Sequence, residues 1–175
     1  METHLVISAI GRDRSGLVDE FSRAVLECGC AIGDGRMAVL GGEFAMIVQV
    51  SGNWNAVAKL ESMLPRLEEK LSLQLEGKRT EPRTGTESLV PYAVEVIAPD
   101  RPDIVHDVSS FFATRGINVE DLDTSRYLAP HTGAPMFSLR MTVGIPADAT
   151  IATIRGDFMD LCDELNLDAM FAPVK

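Results

Sequence analysis

Cysteine is scarce in this 175-residue chain: Cys28, Cys30 and Cys162 are an odd set with no regular spacing. They offer no disulfide framework and fit a reducing compartment. No apolar run approaches the roughly 20 residues that cross a bilayer as a helix, and the opening Met1-Glu2-Thr3-His4 lacks the basic region of a secretory leader. A cytoplasmic location without membrane contact is the expectation. Histidine is equally sparse. His4, His106 and His131 fall on unlike segments and no Cys/His spacing suits zinc, so neither a metal nor a cofactor is expected. Basic charge is also short, with 16 Lys and Arg against 26 Asp and Glu for a net of -10. Residues 1–79 hold 9 basic and 11 acidic side chains, leaving 7 and 15 for the remainder. A surface of that sign repels phosphate backbones, which argues against direct nucleic-acid binding. A role in gene control would have to run through another protein.

What the chain does have is an apolar content of 46%, enough for globular cores, and an internal repeat. Ile10-Gly11-Arg12-Asp13-Arg14-Ser15-Gly16-Leu17-Val18 is echoed 87 positions later by Ile97-Ala98-Pro99-Asp100-Arg101-Pro102-Asp103-Ile104-Val105. The same offset pairs Ser22 with Ser109, Gly29 with Gly116, Ile32 with Val119 and Asp34 with Asp121. A duplicated unit follows from a single offset sustained over so many positions. The expected domains are 1–79 and 90–175, with the polar, Pro- and Gly-containing stretch 80–89 as linker.

Each copy reads βαββαβ. In copy one, strand His4–Ile10 leads through a polar loop to a helix whose apolar face is Leu17, Val18, Phe21, Ala24, Val25 and Cys28, with Gly29 at the left-handed cap. Runs 31–40 and 43–50 form a hairpin around Gly41-Gly42, both read as positive-φ positions. Asn53 or Asn55 caps a second helix with the stripe Trp54, Val57, Leu60, Leu64, Leu67 and Leu71, which Pro65 should kink or restart. Residues 71–75 close the unit as a strand. Copy two predicts strand 92–97, helix 104–115, strands 117–127 and 136–143 around the longer loop 129–135, helix 150–165 with the stripe Ile151/Ile154/Phe158/Leu161, and strand 167–171. The expected fold class is therefore α+β, two ferredoxin-like units whose antiparallel sheets carry helices on one face. Each sheet keeps a bare face and open edges, the physical reason to expect domain pairing and a homodimer.

Asp13-Arg14-Ser15-Gly16 and Asp100-Arg101-Pro102-Asp103, each between a strand and an apolar helix, with Gly116-Ile117-Asn118-Val119-Glu120-Asp121 after the second helix, resemble the ACT domain, a regulatory module that binds small molecules. A free-standing pair of such domains resembles the bacterial repressor family of the glycine cleavage system. That resemblance implies a non-catalytic protein that responds to an amino acid, glycine, and acts through the DNA-binding activator of the operon. It also implies ligand contacts from Gly11, Arg12, Asp13, Arg14, Ser15, Gly16 and Leu17, from Asp100 and Arg101, and from Asn118. The copies depart from the family pattern differently. Copy one keeps Gly16 but has Ser15 for Pro and Ala31 for Asn; copy two keeps Pro102 and Asn118 but has Asp103 for Gly.

Free N–H groups at a helix start offer a place for a ligand carboxylate. Since ACT ligands commonly sit between two domains, a composite site is one expectation: loop 11–16 supplies N–H donors and Asn118 holds the amino group. Asp103 stands where it would disable a site in its own copy. The plainer reading has Asp13 and Asp100 capping helices and the two arginines solvated or paired to them. Two other classes stay open: a ligand-free interaction module, and an acylphosphatase-like enzyme using Arg12 or Arg14 with Asn118, against which the charge of Asp13 speaks. Gly11 and Gly16 imitate a phosphate loop, but Leu17-Val18 occupies the place of Lys-Ser/Thr. Gly33-Asp34-Gly35 reads as a strand bulge, and Cys28 and Cys30, either side of a helix cap, as small core residues with thiols pointing apart.

Overall fold

The computed structural model describes residues 2–84 and 88–174, so residues 85–87 of the expected linker lie outside the described set. Two compact units are present, Met1–Arg83 and Thr84–Lys175.

Unit 1 runs β1 (Glu2–Arg12), α1 (Leu17–Glu27), β2 (Ala31–Leu40), β3 (Glu43–Asn53), α2 (Trp54–Leu71) and β4 (Leu73–Thr80). Its sheet order is β2-β3-β1-β4, antiparallel throughout. Unit 2 repeats it as β5 (Leu89–Pro99), α3 (Ile104–Ala113), β6 (Asn118–Leu128), β7 (Pro135–Pro146), α4 (Ile151–Glu164) and β8 (Asp168–Pro173), ordered β6-β7-β5-β8. The expected α+β fold is the observed one.

Period-two alternation decides which strand face is buried. Leu5, Ile7 and Ala9 of β1 are buried while Ser8 and Ile10 between and beyond them are exposed. They pack with Phe21 and Val25 of α1 and Leu60, Leu64 and Leu67 of α2 in one core. Unit 2 has its own core, richer in rings: Phe111, Phe112, Phe158 and Phe171 form a chain of ring contacts with centroids 5.1–6.2 Å apart. A bulge interrupts the same place in both edge strands, between Ile32 and Gly35 and between Val119 and Asp121. Gly33-Asp34-Gly35 is thus a strand bulge. A Cβ at Gly35 would stand 2.8 Å from Val48 Cγ1, so the close approach itself calls for glycine.

Several boundaries differ from the sequence reading. Strand β4 begins at Leu73, not at 71, because Leu71 ends α2 and Ser72 makes the left-handed turn at φ 54°. Helix α2 continues across Pro65; burial of Leu64, Leu67 and Leu71 on both sides offsets the lost backbone bond. Trp54 is 60% exposed and belongs to no core, since it is the first helical residue and its ring instead meets the Arg79 guanidinium at 5.5 Å. Helix α3 stops at Ala113, two residues early, and Gly116 takes the positive φ after it. In the first hairpin only Gly41 has positive φ, not Gly42.

Candidate functional site

In both units the Asp-Arg loop carries the sheet into its first helix, and its internal bonds repeat. The Asp13 N–H donates to the Gly42 carbonyl and the Asp100 N–H to the Pro135 carbonyl, each at 3.0 Å, tying the loop to the turn end of the hairpin. Arg14 Nη1 bonds Glu20 at 2.7 Å, and Arg101 Nη2 meets Asp107 at 3.4 Å, again six residues on. The aspartates cap nothing. The N-cap of α1 is Gly16 at φ 89°, that of α3 is Asp103, and neither start has a side-chain cap. The motif arginines are therefore not paired to the aspartates that precede them. Glu20 and Asp107 were absent from the sequence reading, although an acid six residues after each Arg is a signal that the repeat carries. The bond to Arg14 holds the Glu20 carboxyl below its usual range and pushes the Arg14 guanidinium up.

The other expected residues of copy one divide by surroundings. Leu17 is buried in the core. Gly11 lies against the start of β4: a Cβ there would sit 2.9 Å from the Ser72 carbonyl and 2.8 Å from Leu73 Cδ2. It also borders a cavity of about 410 Å³ shared with Glu43, Glu68, Ser72 and Gln74. Arg12 stands opposite Glu43 in the ladder, and the Ser15 carbonyl accepts from Arg14 Nη1 at 3.2 Å.

In unit 2, Arg101 is a strut. Its Nη1 donates to the Leu165 carbonyl at 3.2 Å, while Nε lies 2.8 Å from Asp103 Oδ1. That contact is an ion pair, which gives the buried Nε a charged neighbour in place of a well-aligned hydrogen bond. Beside it a cavity of about 310 Å³ lies between the start of α3 and strand β6, lined by Arg101, Val105, Thr124, Ser125, Arg126 and Phe137 among others. Thr124 and Arg126 face buried Leu139 and Phe137 across the ladder, so their side chains rise on the helix-bearing side of the edge strand. Arg126 Nε donates to Asp100 Oδ1 at 3.1 Å. Asn118, at the far end of β6, donates to Glu120 Oε1 at 2.9 Å and does not border that cavity. Nor does the 129–135 loop, whose Ala129 and Gly133 N–H groups close on Ala134 and Ala129 carbonyls.

The corresponding positions in unit 1 are apolar. Hairpin pairing sets Met37 opposite Met46 and Val39 opposite Phe44, matching Thr124 with Leu139 and Arg126 with Phe137. Thr124 and Arg126 are not legible from spacing, because the bulge after Val119 changes which residues of β6 share the helix-bearing side.

Cys28, Cys30 and Cys162 are buried. Cys28 Sγ lies 3.4 Å from Met63 Sδ, and burial pushes the Cys162 thiol up to about 11, the character of a packing residue and not of a nucleophile. Among the described residues no cluster of His, Cys, Asp or Glu is placed to hold a metal, and no helix is long and apolar enough to cross a membrane.

The ACT domain family matches residues 3–78. The glycine cleavage system transcriptional repressor of Escherichia coli strain K12 is 36% identical over 163 residues, which are 93% of this chain and 86% of that protein. The protein of the same description from Shigella flexneri gives the same identity and coverage. Among solved structures, an unknown protein from Galdieria sulphuraria is 29% identical with a TM-score of 0.80 over the whole of both chains. A protein assigned as a glycine cleavage system transcriptional repressor is 27% identical, with a TM-score of 0.75 over 100% of this chain and 99% of that one.

Proposed function

The chain belongs to the family of tandem ACT-domain proteins that includes the glycine cleavage system transcriptional repressor of Escherichia coli, and from that membership we propose that it is a non-catalytic regulator that senses a small amino acid. Glycine is the proposed ligand and the genes of glycine cleavage the proposed target. Repression runs through a DNA-binding activator protein in the cytoplasm, without direct contact with DNA. The observation that carries this reading is the 36% identity over 93% of the chain. The net charge of -10 supports the indirect route, because phosphate contacts would meet like charge.

Gly11, Arg12, Asp13, Arg14, Ser15, Gly16 and Leu17, with Asp100, Arg101 and Asn118, are the proposed ligand residues. The domains are taken as 1–79 and 90–175 with linker 80–89. A ligand that binds one conformation more tightly shifts the population toward it, and with it the surface shown to the partner protein. All ten residues of edge strand β2 are exposed, among them Ile32, Met37, Val39 and Leu40. An open apolar edge of this kind supports a homodimer in which a second copy covers it.

Calorimetry on the full chain tests the sensing. Glycine should bind saturably, and Gly16→Val and Asn118→Ala should weaken it. No heat with any of a panel of amino acids at millimolar concentrations would leave the chain a ligand-free interaction module, a reading favoured by the commitment of Arg14 to Glu20.

A further inference from the structure

The helix layers of the two units are closed to different degrees. In unit 1 side chains bridge the seam between α1 and α2: Lys59 Nζ donates to the Glu27 carbonyl at 3.0 Å, and Met63 Sδ lies 3.4 Å from Cys28 Sγ. In unit 2, Arg115 and Asp157 meet across the seam at 3.1 Å, and beyond that pair α3 and α4 leave a cavity of about 290 Å³. Its floor is Phe111 with the half-buried Leu161 and Leu165, and Ser110 and Thr114 of α3 line one bank. The volume lies below the roughly 300–1,000 Å³ of pockets that enclose small ligands, a size suited to side chains projected from a partner's helix.

We propose that this seam is the docking groove for a basic, amphipathic helix of a protein partner. The inference rests on the reading above in which the chain acts through a DNA-binding activator, and it locates the surface used. Charge decides the occupant. Helices α3 and α4 contain no Lys and a single Arg, Arg155, against Asp107, Asp157, Asp160, Asp163 and Glu164. Asp107 and Asp157 are engaged by Arg101 and Arg115. Asp160 and Glu164 are exposed, and among the described residues neither has an ion-pair partner. Four residues apart, they share one side of α4, and Leu161 and Leu165 follow them directly, so the free acids border the apolar floor.

Glu164 is also the last residue of α4, where the helix dipole is negative, and no basic side chain stands in that last turn. Helix α2 of unit 1, by contrast, has Lys70 in its last turn. The carboxylate is disfavoured by its own helix, and a cation brought from outside relieves it. A helix laid in the seam would set apolar residues at i, i+3 or i+4 and i+7 on Phe111, Leu161 and Leu165, with Lys or Arg on its flank against Asp160 and Glu164. An acidic helix or a nucleic acid is repelled by the same pair.

The test is calorimetry of the full-length chain with the purified activator. Asp160→Lys combined with Glu164→Lys should weaken binding roughly 10-fold, the size expected when two exposed ion pairs are lost and reversed. The urea midpoint should hold or rise, because Lys suits a helix C-terminus; a fall would overturn the proposal, since the acids would then serve the fold. Glu69→Lys combined with Glu76→Lys makes the same change of net charge on unit 1 and should leave affinity within about twofold, distant charges being screened. Ser110→Trp, which fills the groove, should abolish binding. Hydrogen exchange on the complex should protect α3, α4 and one Lys- or Arg-bearing helix of the activator. Equal weakening by the two charge reversals would overturn the site, because net charge alone would then account for it. So would protection of an activator strand or loop in place of a helix, or a dimer of the chain that Ser110→Trp disperses, which would give the groove to a second copy. Binding that neither the Asp160/Glu164 reversal nor Ser110→Trp changes would overturn the groove and leave the partner reading intact. A parent that does not bind the activator would overturn both.

Discussion

Arg14 and Arg101 show how a short motif can serve folding before it serves a ligand. Each reaches an acid six residues ahead, Glu20 or Asp107, and so pins a polar loop to the first turn of its helix. Acidic side chains there also suit the positive end of the helix dipole. The hydrogen bond from Arg14 lowers the Glu20 titration. A carboxyl whose folded value is depressed adds stability above its unfolded value, about 4.3 for Glu, and loses it as pH falls through the folded one. Both side chains are solvent-accessible, so the gain is small. In Arg14→Met the Glu20 carboxyl should return to the ordinary Glu range in a carbon-detected NMR titration. An unchanged midpoint would mean that the pair does not form in solution.

Among the elements, α2 has the best-defined start. The Asn53 side chain accepts from the Ala56 N–H at 2.8 Å, and no acid in the first turn assists it. Asn53→Ala should therefore cost about 1 kcal/mol, read as a lower urea midpoint at unchanged slope. Elements of this kind were legible in the sequence because a capping Asn before an apolar stripe and the glycines at 29, 41 and 116 each announce a backbone state. The misses have equally local reasons. Ser72 and Asn166 take left-handed turns at φ 54° and 53°, and because Ser72 lacks a glycine's signal the α2–β4 boundary was drawn through Leu71. Trp54 fits the helical stripe by spacing, yet a helix's first residue can point past the core it leads into. The loop half of the candidate site was legible from the repeat. Its strand half was not, because Thr124 and Arg126 reach the helix side only through a bulged register that spacing alone does not fix.

At the scale of the molecule, two cores with separate membership lie in two units of the same topology, and sequence divergence has reached the cores as well: Ala24 and Val25 of the first stand where the second has Phe111 and Phe112. The acidic excess is concentrated in the second copy, 15 acidic to 7 basic residues from position 80 onward. The described arginines there are largely engaged: Arg101, Arg115, Arg126 and Arg140 each face a carboxylate. Binding duplex DNA would require such pairs to open and a chain of net charge -10 to approach a polyanion, with few phosphate contacts to release counterions in return. Fluorescence anisotropy with a labelled duplex from the promoter of a glycine cleavage operon should thus show no binding by the chain alone at about 0.15 M salt, where charge interactions beyond roughly 8 Å are screened. With the operon's activator already bound to the duplex, adding the chain should raise the signal further. Tight binding by the chain alone, weakening steeply as salt increases, would refute the indirect route and call for a basic face formed by some other arrangement of copies.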